Sequence, residues 1–278
     1  MNTISNTLNT ASLTVSLIQM DSGPDKAKNI QKALSFCDDS IAQDAKLICL
    51  PEIFHCRGHE LATSEKKEPL PGPSLTPFMD FAKKHNVWIL AGSVFESVEG
   101  RTRAYNTSCL IDPKGKITAT YRKIHLFDVN VDDTKIMESA SFIAGESPVV
   151  ASIDDKTLGM SVCYDLRFPE LYRHYAKTPV DMISIPASFT KTTGTAHWHP
   201  LIRARAIENQ CFVLAPNQVG RGAYDVETYG HSMIVDPWGE IIAEGSGDSE
   251  EIVVGVLDFD RLNTIRSSLP ALKHSILS

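Results

Sequence analysis

The stretch Leu158-Gly-Met-Ser-Val-Cys163-Tyr-Asp-Leu-Arg-Phe-Pro-Glu170 decides how this chain is read. Residues 157–162 form a short apolar-rich run of the kind buried in a sheet, and Pro169-Glu170 opens a run with helical spacing. Cys163 therefore stands where a strand ends and the turn into a helix begins. A side chain at such a corner projects from a rigid element into a crevice, and the backbone N–H groups after it can face a developing negative charge. The competing reading is a core cysteine, since free Cys is among the most buried residue types.

Outward from this corner, the C-terminal half reads as strand 157–163, a helix from Pro169, strand 180–186, helix 197–210, strand 211–217 and a hairpin. The N-terminal half has the same order. Strand 13–20 precedes helix 24–43, with apolar residues at Ala27, Ile30, Leu34, Cys37 and Ile41, and strand 46–50 is stopped by Pro51. A polar loop (55–68) and the hinge Pro69-Leu-Pro-Gly-Pro73 lead to helix 77–85, strand 87–94 and a hairpin turning at Asp112-Pro-Lys-Gly115.

The two hairpins align without a gap, Ser108-Cys-Leu-Ile-Asp-Pro-Lys-Gly-Lys-Ile-Thr-Ala119 against Ser232-Met-Ile-Val-Asp-Pro-Trp-Gly-Glu-Ile-Ile-Ala243. Val87-Trp-Ile-Leu-Ala and Cys211-Phe-Val-Leu-Ala stand at the same offset of 124 residues (87 to 211, 108 to 232). Two pseudo-symmetric halves follow, each a mixed sheet with helices on one face. Burying the two free faces against each other gives an α/β fold of four layers, an α-β-β-α sandwich. A single domain over 13–269 is expected, with a mobile leader at 1–12 and a C-terminal tail at 270–278. Only the loop 125–147 separates the halves, and structureless loops of that length are usually functional.

The totals are those of an ordinary globular protein: 278 residues, 42% hydrophobic and 22% charged. A net charge of -7 argues against a nucleic-acid partner, and no run approaches the length of a membrane span. The N-terminus has no basic residue before Lys26 and no apolar h-region, unlike a signal or transit peptide. Six cysteines without paired spacing point to reduced thiols in the cytoplasm.

Glu52, Lys123 and Cys163 each stand at or just after a strand end, and in such folds the carboxyl ends of strands converge on one crevice. Together they supply a base, a cation and a nucleophile. A free thiol is mostly protonated at neutral pH, so it needs a base or cation beside it. Glu52 can take the Cys163 proton during attack on a carbonyl carbon and return it to a departing nitrogen. Lys123 and the N–H of Tyr164 can hold the oxyanion, and a water activated by Glu52 can hydrolyse the resulting thioester. Glu138, in the loop 125–147, is suited to orienting Lys123 or the substrate nitrogen; alternatively it is a solvated loop acid.

Other patterns are incomplete. His55-Cys56-Arg-Gly-His59 and His197-Trp-His199 are fragments of metal-ligand spacing that no further ligand completes, so neither a metal nor a cofactor is expected. A Gly-x-Ser-x-Gly elbow, a Gly-x-Gly-x-x-Gly string and a P-loop are all absent. With nine histidines, a Cys-His arrangement stays open.

Leu-Pro-Glu52, Tyr-Arg-Lys123-Ile-His-Leu-Phe-Asp and Val-Cys163-Tyr-Asp-Leu-Arg-Phe-Pro-Glu together resemble the nitrilase superfamily of carbon-nitrogen hydrolases, over about residues 13–269. The resemblance implies the four-layer sandwich, a Glu-Lys-Cys triad at Glu52, Lys123 and Cys163, and Glu138 as a fourth member of the site. It also implies a homodimer or higher homo-oligomer and a small-molecule amide substrate. Thr193-Gly-Thr-Ala-His-Trp198, Arg203-Ala-Arg-Ala-Ile-Glu-Asn-Gln and Tyr229-Gly-His-Ser-Met-Ile-Val-Asp-Pro-Trp-Gly look like the branch containing deaminated glutathione amidase and ω-amidase. The first activity releases cysteinylglycine and the second ammonia from an α-keto-glutaryl amide. The motifs around Arg167 and 203–211 lean to the first, and Ile-His-Leu-Phe-Asp-Val partly to the second. The same likeness suggests Arg167 for the anionic end of the substrate and Phe189 and Thr193 for the acyl pocket. Their structural alternatives are an ion-pair partner, core packing and a loop cap. Thr195 stands where the family pattern commonly has proline, a change that falls at the rim of the implied pocket. A true nitrilase and a catalytically idle scaffold are the remaining alternatives.

Overall fold

Strands buried on both faces carry apolar side chains at successive positions, and this chain shows the pattern wherever the sheet is central. Val15 and Leu17 belong to one buried cluster and Ile18 and Met20 to another; Leu47 and Cys49 divide from Ile48 and Leu50 in the same way. Each strand thus packs helices on one side and a second sheet on the other. The computed structural model describes residues 11–58, 65–131, 134–222 and 225–276.

In chain order the N-terminal half runs β1 (Ser12–Gln19), α1 (Lys26–Ala42), β2 (Leu47–Cys49), α2 (Thr76–His85), β3 (Trp88–Glu96), β4 (Tyr105–Ile111) and β5 (Ile117–Arg122). A small hairpin follows, β6 (Asp128–Val131) and β7 (Thr134–Met137), then the one-turn helix α3 (Glu138–Ser141). The C-terminal half runs β8 (Val149–Ile153), β9 (Lys156–Met160), a 3-10 turn (Cys163–Arg167), α4 (Pro169–Lys177), β10 (Met182–Ser184), α5 (Lys191–Asn209), β11 (Phe212–Ala215), β12 (Met233–Val235) and β13 (Ile241–Glu244). β14 (Glu251–Asp258) and α6 (Phe259–Ser268) come last.

The two main sheets have six strands each, in the orders β14-β1-β2-β3-β4-β5 and β13-β12-β11-β10-β9-β8. Each is one antiparallel strand, three parallel strands and an antiparallel hairpin. The 124-residue offset holds at the level of register. Ala91 pairs Cys109 as Ala215 pairs Met233, and Leu110 pairs Ala119 as Ile234 pairs Ala243. Even the irregularity repeats, between Leu110 and Ile111 in one half and between Ile234 and Val235 in the other. α1 and α2 cover the first sheet and α4 and α5 the second, giving the α-β-β-α sandwich.

Three expectations are corrected. The segment 125–147 is not structureless: a hairpin and a helical turn fill most of it, because Phe127, Ile136 and Phe142 all find packing partners. α5 begins at Lys191 rather than near 197, with Pro200 inside it. The first sheet is not completed by the first half, since its edge strand is β14, paired residue for residue with β1 from Ser12↔Asp258 to Gln19↔Glu251. β1 itself opens at Ser12, within the span expected to be leader; residues 1–10 and 277–278 lie outside the described residues.

Candidate active site

Glu52 and Cys163 each follow a parallel strand, β2 and β9, and Lys123 follows the antiparallel strand β5. After β2, Leu50 donates its N–H to Leu90 O (2.9 Å) and Glu52 enters a turn. That close approach needs Gly92 on β3, where a Cβ would drive into the carbonyl oxygen of Pro51. After β9, Cys163 N–H donates to Pro186 O (2.9 Å), and Cys163 takes a left-handed backbone, φ 49°. A non-glycine residue in that region is a strained outlier that the surroundings must hold in place. Asp165, fully buried, supplies the hold: its carboxylate accepts from Val162 N–H (2.9 Å), Tyr121 Oη (2.7 Å) and His125 N–H (3.0 Å). As a residue in the first turn of a 3-10 helix, Tyr164 has no intrahelical acceptor for its N–H, and it lines the same cavity as Cys163.

Glu52, Lys123, Glu138 and Cys163 meet there. Lys123 Nζ lies 2.9 Å from Glu52 Oε1 and 3.0 and 2.8 Å from the two oxygens of Glu138. The other polar partners are fixed. Asn106 Nδ2 donates to Glu52 Oε1 (2.9 Å), Ser188 N–H to Glu52 Oε2 (2.9 Å), and Phe127 N–H to Glu138 Oε2 (2.8 Å). Lys123 is 1% exposed, so its charge is neutralised by these carboxylates rather than by water.

Protonation follows from the same contacts. Burial, and next the Glu52 carboxylate, push the Cys163 thiol well above the ordinary cysteine range, with Lys123 pulling the other way. Burial alone would depress Lys123, but Glu138 and then Glu52 hold its pKa well above the usual lysine value. Burial also raises the Glu138 carboxyl, against the pull of Lys123. At neutral pH the thiol is protonated and the Lys123 ammonium is firmly charged. Glu52 and Cys163 face the same cavity.

These four residues line this cavity together with Tyr164, Phe189 and Thr193. Phe127, just before β6, and Ile136, on β7, also line it. Thr193, in the first turn of α5, hydrogen-bonds Thr190 (2.7 Å), another lining residue. Arg167 does not line the cavity. Its guanidinium lies 5.3 Å from the ring of Phe189 and 5.9 Å from that of Tyr164, and it meets His197 Nδ1 at 3.2 Å. Asn106, Ser188 and Asp165 were not legible as site residues, because an amide, a backbone N–H and a buried acid each act through a neighbour. The two metal-like fragments come apart: His55 is buried, His59 lies outside the described residues, and His197 and His199 leave α5 in different directions.

Residues 14–267 match the carbon-nitrogen hydrolase family. The chain is 41% identical over 263 residues to a deaminated glutathione amidase of Synechocystis, covering 93% of this chain and 96% of that protein. It is 34% identical over 264 residues to the omega-amidase NIT2 of Homo sapiens, covering 95% of each. Among solved structures, Saccharomyces cerevisiae Nit3, a member of branch 10 of the nitrilase superfamily, superposes with a TM-score of 0.83 at 31% identity, covering 94% of this chain and 95% of that one.

Proposed function

Because this chain belongs to the carbon-nitrogen hydrolase family, whose members cleave bonds such as the amide, we propose that it hydrolyses deaminated glutathione to α-ketoglutarate and cysteinylglycine. The observation that carries the reading is a buried ammonium, Lys123, bridging Glu52 and Glu138 in a cavity that also presents Cys163.

The protonated resting thiol makes attack and proton transfer one event. Cys163 Sγ bonds to the amide carbon while its proton passes to Glu52, and the carbonyl oxygen takes up negative charge facing Lys123 Nζ and the Tyr164 N–H. Glu52 returns the proton to the departing nitrogen, and the C–N bond breaks to leave a thioester. Water then gives a proton to Glu52 and its oxygen to the acyl carbon; the C–S bond breaks and the sulfur recovers the proton. Glu138 keeps Lys123 charged and aimed throughout. Tyr164, Phe189 and Thr193 shape the acyl pocket, and Arg167 at its edge meets the substrate carboxylate, a role suited to its planar fork of donors.

The higher identity to the deaminated glutathione amidase supports the peptide substrate over α-ketoglutaramate, the ω-amidase substrate. Comparing kcat/KM for α-ketoglutarate release from each, with Cys163→Ala as control, tests the choice; preference for the small amide overturns it. The chain acts as a homodimer in this reading. Exposed Ile207 on α5 and Trp238 in the β12–β13 turn offer an apolar face for pairing. The cytoplasm is the proposed location, supported by six free cysteines; no helix among the described residues is long and apolar enough to cross a membrane.

A further inference from the structure

A second cluster of chemically capable side chains lies outside the cavity. His199 on α5, His231 just before β12 and Glu244 at the end of β13 bring one ligand atom each to within 4.8 Å of one another. His199 Nε2 and His231 Nδ1 both lie 2.8 Å from the same oxygen, Glu244 Oε1. All three side chains are partly open to solvent, at 31, 29 and 28%.

We propose that His199, His231 and Glu244 form a binding site for a divalent transition metal, of which zinc is the representative. Two imidazoles and one carboxylate suit zinc, copper or nickel and disfavour magnesium and calcium, which take oxygen ligands. As hydrogen bonds, the two contacts require a proton on each facing nitrogen. A dication at that point replaces both protons and draws on the same lone pairs.

The geometry is close to what the ion needs. Metal–nitrogen and metal–oxygen bonds of about 2.0–2.1 Å around a tetrahedral ion separate ligand atoms by about 3.3 Å. Each N···O pair opens by about half an ångström and the two nitrogens, within 4.8 Å of one another, settle to the same spacing, movements that three partly exposed side chains can make. Water takes the fourth position.

The ligands are also pre-oriented. His231 holds a left-handed backbone, φ 51°, with its N–H on Ser246 O (2.9 Å). Its Nε2 is set so close against Gly247 that a Cβ there would come within 2.7 Å. The Tyr229 ring packs 4.4 Å from His231 and 6.0 Å from His199, and is itself seated against Gly194 of α5. Backbone strain retained at a residue whose side chain joins a ligand cluster is the pattern of a held site. The ion would clip α5, which carries Thr193 at its first turn, to the hairpin of β12 and β13.

The test is titration of untagged, chelator-treated Cys163→Ala protein with ZnCl2 by calorimetry, the substitution removing the active-site thiol as a competing ligand. One equivalent should bind, with affinity at least tenfold weaker in His199→Ala, in Glu244→Gln and in His231→Asn, which keeps a residue tolerant of left-handed backbone. Zinc should raise the melting temperature of Cys163→Ala and not that of its His199→Ala derivative, with circular dichroism verifying that each variant is folded. Substoichiometric binding, or one equivalent bound equally well by His199→Ala and Glu244→Gln, overturns the proposal.

Discussion

Lys123 Nζ lies 2.9 Å from Glu52 Oε1, a contact between residues 71 positions apart in the chain and almost wholly removed from water. Glu138 closes on the same ammonium from the other side, so a single positive charge holds two carboxylates together.

Removing that charge should damage both stability and rate. Lys123→Ala leaves two buried acids facing each other, and breaking a buried ion pair on one side costs about 3 to 5 kcal/mol. Loss of an oxyanion donor adds about 2.7 to 4 kcal/mol to the barrier, a fall in kcat of about 10² to 10³. Urea unfolding and turnover of the same sample measure the two effects; a stable variant with unimpaired turnover contradicts the assigned role.

Glu52→Gln should separate reactivity from catalysis. The Glu52 charge helps to raise the Cys163 pKa, second to burial, so neutralising it lowers that pKa and increases the thiolate fraction. Alkylation of Cys163 by iodoacetamide at pH 8 should accelerate several-fold while amidase turnover falls at least about 10²-fold, for want of a general base. In the unsubstituted protein the alkylation rate should still be climbing above pH 9. A plateau below pH 8 would mean that the thiol is not held protonated.

Arg167 lies outside the cavity lining, its guanidinium 5.3 Å from the ring of Phe189 and 5.9 Å from that of Tyr164, two residues that do line it. Arg167→Ala should raise KM for an anionic acyl group by about 10- to 100-fold, the worth of a charge-assisted hydrogen-bonded contact. Melting temperature should change little. Steady-state kinetics with the acidic substrate and a neutral amide analogue would show whether the loss tracks the carboxylate.

His55 gives the fold an acid-side weakness. Burial, with Lys26 nearby, pushes its pKa down to about 3 from an ordinary 6.5. The unfolded chain binds this proton more readily, so stability from keeping His55 neutral is complete above pH 6.5 and is lost as pH falls towards 3. The loss reaches about 4 kcal/mol near pH 3.5. His55→Leu should flatten unfolding free energy against pH across that window. An unchanged slope would assign the acid sensitivity to other groups.

Much of this was written plainly in the chain. The 124-residue offset was visible because both hairpins carry Asp-Pro-x-Gly turns, and the pairing of Leu110 with Ala119 and Ile234 with Ala243 shows that it marks equivalent register. Glu52, Lys123 and Cys163 could be found because strand ends place side chains predictably. The start of α5 was obscured by Pro200, which suits a first turn better than an interior. Asn106 and Ser188 were hidden because their value lies wholly in reaching Glu52 from distant parts of the chain. His199, His231 and Glu244 sit on three separate elements, and no local spacing joins them.

The place of β14 sets an order in time. Chain synthesis delivers β1 through β5 early, yet the strand that covers the free edge of β1 ends at Asp258. Until then the nascent first sheet offers an unsatisfied row of backbone donors and acceptors, the kind of edge on which neighbouring chains pair. The N-terminal half is therefore the first made and the last finished, and its maturation waits for Asp258 to leave the ribosome.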